Sequence, residues 1–201
     1  MPITAVIFDI GGVLERNPPT GWQRKWARRL GRDPREVERE LNRILSPGSI
    51  GAVSLEEIMR EVATVLGLDH AAVSALMEDS WREYVGTLNS EMAGYFAGLR
   101  ARYKTGILSN SFVGAREREQ AAYGFEDMCD EIVYSHEVGC LKPEPKIYHL
   151  ACERLNVAPQ AAVFLDDVPA NVDGGRRVGM RAIDFIDTDQ AIAAVTAALW
   201  T

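Results

Sequence analysis

A chain of 201 residues in which 29 acidic side chains outnumber 22 basic ones has a formal net charge of −7 and lacks the basic footprint of sequence-independent nucleic-acid binding. Its content of 47% hydrophobic and 25% charged residues is ordinary for a globular protein large enough for one full core and a smaller subdomain. No run approaches the ~20 apolar residues of a membrane helix. The cysteines Cys129, Cys140 and Cys152 are odd in number and lack CxxC spacing, so they read as reduced thiols. With an N-terminus that has no basic n-region ahead of its apolar run, this points to the cytoplasm.

The first element is the apolar run over residues 4–9, which ends at Asp9 and passes into Gly11 and Gly12. No strand signal follows over residues 17–88; four helices do. Thr20 precedes Trp22, Trp26 and Leu30 at four-residue spacing, and Gly31 ends that run. Asp33, Pro34 and Glu36 supply a cap, a first-turn proline and a capping-box acid ahead of Val37, Leu41, Ile44 and Leu45. Ser54 and Glu57 repeat the device, and Asp69 opens a helix carrying Val73, Leu76, Met77, Trp81 and Tyr84. Four amphipathic helices in succession make a small bundle.

A helix over residues 89–103 returns the chain to a core of four more strands, over 105–109, 131–135, 162–166 and 181–185. Helices over 146–155, 172–178 and 189–199 complete it. Continuous apolar runs suit a parallel sheet covered on both faces. The fold class is therefore α/β, a Rossmann-like doubly wound parallel sheet with an inserted α-helical cap. Its core comprises residues 1–16 and 89–201, and the four-helix cap residues 17–88.

Each strand delivers something polar to the edge of the sheet where open α/β folds bind ligands. Asp9 ends the first, Ser109 and Asn110 the second, and Asp166 and Asp167 the fourth; Lys142 follows the third in "SHEVGCLKPEPKIY". Clustered carboxylates repel unless a cation joins them. Hard oxygen ligands with few protein contacts suit Mg²⁺, which keeps its waters and binds substrate phosphate. A hydroxyl, backbone N–H groups and an ammonium provide donors for phosphoryl oxygens.

The sequence resembles the haloacid dehalogenase-like (HAD) superfamily, in its branch with a helical cap after the first strand. Four motifs stand in order along nearly the whole chain: "VIFDIGGVL", "ILSNS", "LKPEPKIY" and "VFLDDVPANV". The resemblance implies that Asp9 is the nucleophile, that Ser109 and Asn110 hold the phosphate, and that Lys142 steadies both. It implies Mg²⁺ as cofactor, held by Asp9, the Gly11 carbonyl and Asp167 with Asp166 beside it. Asn171 stands where many relatives have a supporting carboxylate. Phosphatases of the superfamily place a second aspartate at the position of Gly11, where it protonates the leaving oxygen. Here that acid is missing. Glu15 or a cap residue would replace it, with nothing in the sequence to choose between them, and substrates with good leaving groups would suffer least.

The reading is a Mg²⁺-dependent phosphohydrolase of a small phosphorylated metabolite, working through an aspartyl-phosphate, with no nucleic-acid or membrane partner. The alternatives are a weak or inactive binding or regulatory protein on this scaffold and a 2-haloacid dehalogenase, against which Asp166-Asp167 argues. Arg16 and Trp22 are candidate substrate contacts, and an exposed cap face leaves a homodimer open. Arg24, Lys25, Arg28 and Arg29 read as a solvated helix face. Adjacent residues cannot assemble a triad, so Ser135–His136–Glu137 reads as loop structure. Gly174-Gly175 reads as packing.

Overall fold

The computed structural model describes residues 1–200. The opening apolar run forms β1 (Ala5–Phe8), buried throughout. The chain then makes a two-residue strand, β2 (Glu15–Arg16), and enters the helices α1 (Trp22–Leu30), α2 (Pro34–Leu45), α3 (Leu55–Leu66) and α4 (His70–Val85). It returns through β3 (Thr87–Leu88), α5 (Ser90–Leu99) and β4 (Lys104–Ser109). There follow α6 (Ala115–Tyr123), α7 (Phe125–Met128), β5 (Glu131–Tyr134), α8 (Ser135–Val138) and α9 (Pro145–Arg154). The last elements are β6 (Ala162–Asp166), α10 (Pro169–Arg177), β7 (Arg181–Asp184) and α11 (Thr188–Leu199).

The five long strands form one parallel sheet in the order β5-β4-β1-β6-β7, with β1 at its centre. Alternate residues of each strand face opposite layers. Val6 and Phe8 join Phe96 of α5 and Val195 of α11 on one face; Ala5 and Ile7 join Ile147 of α9 and Val172 of α10 on the other. Both faces are thus covered by helices, the doubly wound arrangement. No helix among the described residues is long and apolar enough to cross a membrane.

The inserted helices have their own apolar cluster around Trp22, Trp26, Leu41, Val62 and Trp81, which extends onto Phe112 and Ala115 from the segment after β4. Their starts obey the caps. The Asp33 carboxylate accepts from the N–H groups of Arg35 and Glu36, Ser54 and Glu57 close a reciprocal box, and Asp69 accepts from Ala72. The start of α1 is built differently. Gly21 caps α1, while the Thr20 N–H and hydroxyl both donate to Glu83 on α4, so the entry to α1 is tied laterally. At the stem of the insertion β2 and β3 pair antiparallel, Glu15 opposite Leu88 and Arg16 opposite Thr87. Gly174 and Gly175 are packing positions: a Cβ there would collide with Tyr148 and Phe164.

Candidate active site

The carboxyl ends of β1, β4 and β6 converge because the three strands are neighbours in a parallel sheet. Asp9, one residue beyond β1, is 7% exposed, and its N–H is bonded to the Leu165 carbonyl at 2.9 Å. Its Oδ1 accepts from the Ile10 N–H at 2.7 Å and from Lys142 Nζ at 2.7 Å. The Lys142 side chain is wholly buried and reaches Asp166 Oδ2 at 2.6 Å as well. Burial pushes the Asp9 carboxyl up, against the pull of the Lys142 ammonium.

Asn110 clamps the lysine's backbone: its Oδ1 accepts from the Lys142 N–H at 2.7 Å and its Nδ2 donates to the Lys142 carbonyl at 3.0 Å. The side chain is therefore committed to the loop carrying Lys142. Ser109, the last residue of β4, lines the cavity above Asp9. Asp166 is saturated: Oδ1 accepts from Val168 N–H at 2.8 Å, Asn171 Nδ2 donates to both oxygens at 3.1 and 3.2 Å, and Lys142 holds Oδ2. Asn171 thus braces Asp166. Asp167 lies on the cavity wall, its carboxyl raised by partial burial and by Asp166.

Asp9, Asp166 and Asp167 each offer an oxygen, and these atoms lie within 4.8 Å of one another. Three carboxylates against the single ammonium of Lys142 leave two negative charges in excess. A divalent, oxygen-preferring cation such as Mg²⁺ matches both the donors and the charge. Since Asp166 is already saturated, Asp9 and Asp167 are the side chains free to hold it.

Gly11 brings only backbone to the cavity. A Cβ built there would lie 3.6 Å from Asn17 Oδ1, so a neutral amide flanks the direction in which a side chain would extend. Asn17 Oδ1 accepts from the Gly12 N–H at 3.2 Å, and its Nδ2 donates to the Tyr84 carbonyl. Gly12 is required as glycine. Its φ of 77° is left-handed, and a Cβ would strike the Asp167 carboxylate.

The cavity, about 600 Å³, extends from Asp9 and Asp167 to Trp22, Tyr84, Glu15 and Glu119. Trp22 lines it; Arg16 does not. The Arg16 guanidinium donates to Asn89 Oδ1 at 3.3 Å, because neighbours in β2 face opposite ways and it is Glu15 that turns inward. Glu15 and Glu119 are both buried, and burial pushes their carboxyls up to about 9 and about 7. The sequence did not single out Glu119, since α6 carries no apolar stripe to mark an inward face.

The sequence profile of haloacid dehalogenase-like hydrolases matches residues 3–179. The chain belongs to the haloacid dehalogenase-like hydrolases. Within this hydrolase family it is similar to a phosphatase of Mycobacterium tuberculosis, 29% identical over 189 residues that span 90% of this chain and 87% of the relative. It is also similar to the D-ribitol-5-phosphate phosphatase of Bacteroides thetaiotaomicron, 25% identical over 138 residues, 64% of this chain and 65% of that protein. In fold it matches a HAD-family enzyme from Bacteroides thetaiotaomicron, crystallised with magnesium and inorganic phosphate. The TM-score is 0.75 at 19% identity over 90% of this chain and 93% of that one.

Proposed function

We propose that this HAD-like hydrolase is a Mg²⁺-dependent phosphohydrolase of small phosphate monoesters, working through an aspartyl-phosphate at Asp9. The observation that carries this is Lys142, buried between Asp9 and Asp166 at 2.7 and 2.6 Å, beside a third carboxylate that has no cation of its own. With Oδ1 held by Lys142 and Ile10, Oδ2 is the oxygen left to attack phosphorus; the P–O bond to the leaving group breaks as the acyl phosphate forms. Lys142 orients the nucleophile and offsets charge on the phosphoryl oxygens, with Ser109 as a further donor. Bound Mg²⁺, held by Asp9, Asp167 and the Gly11 carbonyl, would neutralise phosphoryl charge. Asp166 positions Lys142, and Asn171 positions Asp166. Water then hydrolyses the aspartyl-phosphate, and Asp9 is regenerated.

The test is phosphate release from a panel of monoesters with Mg²⁺ and with chelator, for wild type and Asp9→Asn. Turnover should need Mg²⁺ and fall on the order of 10⁴-fold in the variant. Turnover that survives chelation, or halide release from 2-haloacids without metal, would overturn the reading.

A further inference from the structure

Away from the phosphoryl end, the cavity wall contains two carboxyls for which the chemistry above has no use. Glu15 and Glu119 both line the cavity, are 1% and 0% exposed, and each has an oxygen, Oε1, with no hydrogen-bond partner. Their other oxygens are engaged. Asn17 Nδ2 donates to Glu15 Oε2 at 3.4 Å, and the Tyr134 hydroxyl donates to Glu119 Oε2 at 2.5 Å. Folding seldom leaves buried acceptors unpaired, because the desolvation cost is then uncompensated.

Charge sharpens the point. Among the described residues five carboxyl groups line the cavity, those of Asp9, Glu15, Glu83, Glu119 and Asp167, and no lysine, arginine or histidine does. Asp9 and Asp167 belong to the phosphoryl end. Glu83 is held by the N–H and hydroxyl of Thr20. Lys142 is engaged between Asp9 and Asp166, and Arg116, on the same helix as Glu119, is bound to Glu126 and Glu137. Among the described residues neither Glu15 nor Glu119 forms an ion pair with a basic side chain, and burial without one favours the neutral form of both carboxyls. A substrate hydroxyl would bring one donor and no charge. An ammonium brings three donors and a positive charge that draws the two carboxyls into their ionised form, and Trp22 and Tyr84 add aromatic surface of the kind that attracts cations.

We propose that Glu15 and Glu119 form a recognition subsite for a primary ammonium, so that the substrate class is amine-bearing phosphate monoesters: amino-alcohol or amino-sugar phosphates. This rests on the phosphohydrolase reading for its phosphate end. Oε1 of each glutamate accepts from the ammonium while the phosphoryl group lies against Asp9, and specificity follows from the distance between the two charged groups of the ligand.

The experiment uses matched pairs, 2-aminoethyl against 2-hydroxyethyl phosphate and glucosamine 6-phosphate against glucose 6-phosphate, with p-nitrophenyl phosphate as an unselective control. The kcat/KM ratio within each pair is measured for wild type, Glu15→Gln and Glu119→Gln. Binding of the same pairs to Mg²⁺-loaded Asp9→Asn is measured by calorimetry. At least one amine ester should be favoured by about 10- to 100-fold, the scale of a charged hydrogen bond, and each glutamine variant should bring that ratio close to unity. Hydroxyl esters that match or exceed their amine partners, or a ratio untouched by both variants, would overturn the proposal. A protein silent on p-nitrophenyl phosphate would instead count against the phosphohydrolase, and calorimetry would still decide the amine preference.

Discussion

Gly11 and Gly12 are neighbours with opposite constraints. Gly12 cannot accept a side chain, because its φ is 77° and Asp167 fills the space. Gly11 can: its φ is not left-handed, and a Cβ would make an ordinary 3.6 Å contact with Asn17 Oδ1. What the position lacks is therefore an acid, with room for one left in place. Gly11→Asp should raise kcat for alkyl phosphates, whose alkoxide needs a proton, by about 10²-fold. It should leave aryl phosphates, with leaving groups stable as anions, little changed. Steady-state kinetics on one alkyl and one aryl ester would check this; equal effects on both would mean that the added carboxyl acts on binding and not on the leaving group.

Among elements, one acid ties α1 to α4 across the insertion. Asp79 on α4 is 8% exposed and accepts from Trp26 Nε1 at 2.9 Å and Lys25 at 2.5 Å, both on α1, and from Arg82 at 2.9 Å. The exposed lysine and arginine contribute little, but Asp79→Ala would leave the indole N–H of the buried Trp26 unpaired, at about 1–3 kcal/mol. Urea unfolding should show a loss of that size, with Asp79→Asn milder because its amide oxygen can still accept. The pair also shows what the sequence concealed. Lys25 lies on the solvated basic face that the sequence suggests, and from there reaches a partner 54 residues away on another helix. Strand ends and capping boxes were legible because their signals are local: an apolar run ending in Asp9, or Ser54 three residues before Glu57. The pairing of β2 with β3 was not, since two residues carry no period, and so nothing local showed that Glu15 faces the cavity and Arg16, the candidate substrate contact, faces away. Glu119 was hidden for a related reason. It is buried only because Tyr134 and the inserted helices close over a helix with no apolar stripe of its own.

At the scale of the whole molecule, that buried acid makes stability depend on pH. Glu119 is faced by Tyr134 on β5, Tyr84 on α4, Glu15 on β2 and Arg116 on its own helix. Burial is the largest influence on it and raises its carboxyl from an ordinary 4.5 to about 7; the hydroxyls of Tyr134 and Tyr84 and the charge of Arg116 oppose the rise. The folded chain therefore holds this proton more tightly than the unfolded one. Below pH 4.5 both states are protonated and the group has no effect on the balance. Between that pH and about 7 the unfolded state gives up its proton first, so stability falls as pH rises. Above about 7 this group's loss is complete, at a cost on the order of 3 kcal/mol, while Glu15, held up to about 9 by the same burial, carries the decline further. A glutamine in this place mimics the protonated form. Glu119→Gln should remove this group's share of the decline, leaving a shallower curve, and be more stable than wild type at pH 8, while the two differ little near pH 4.5. Unfolding free energies from urea titrations at intervals through that range would test it. Wild-type and variant curves that run parallel through the window would mean that Glu119 ionises in the folded protein as readily as in water, and that the interface between α6 and the inserted helices admits solvent.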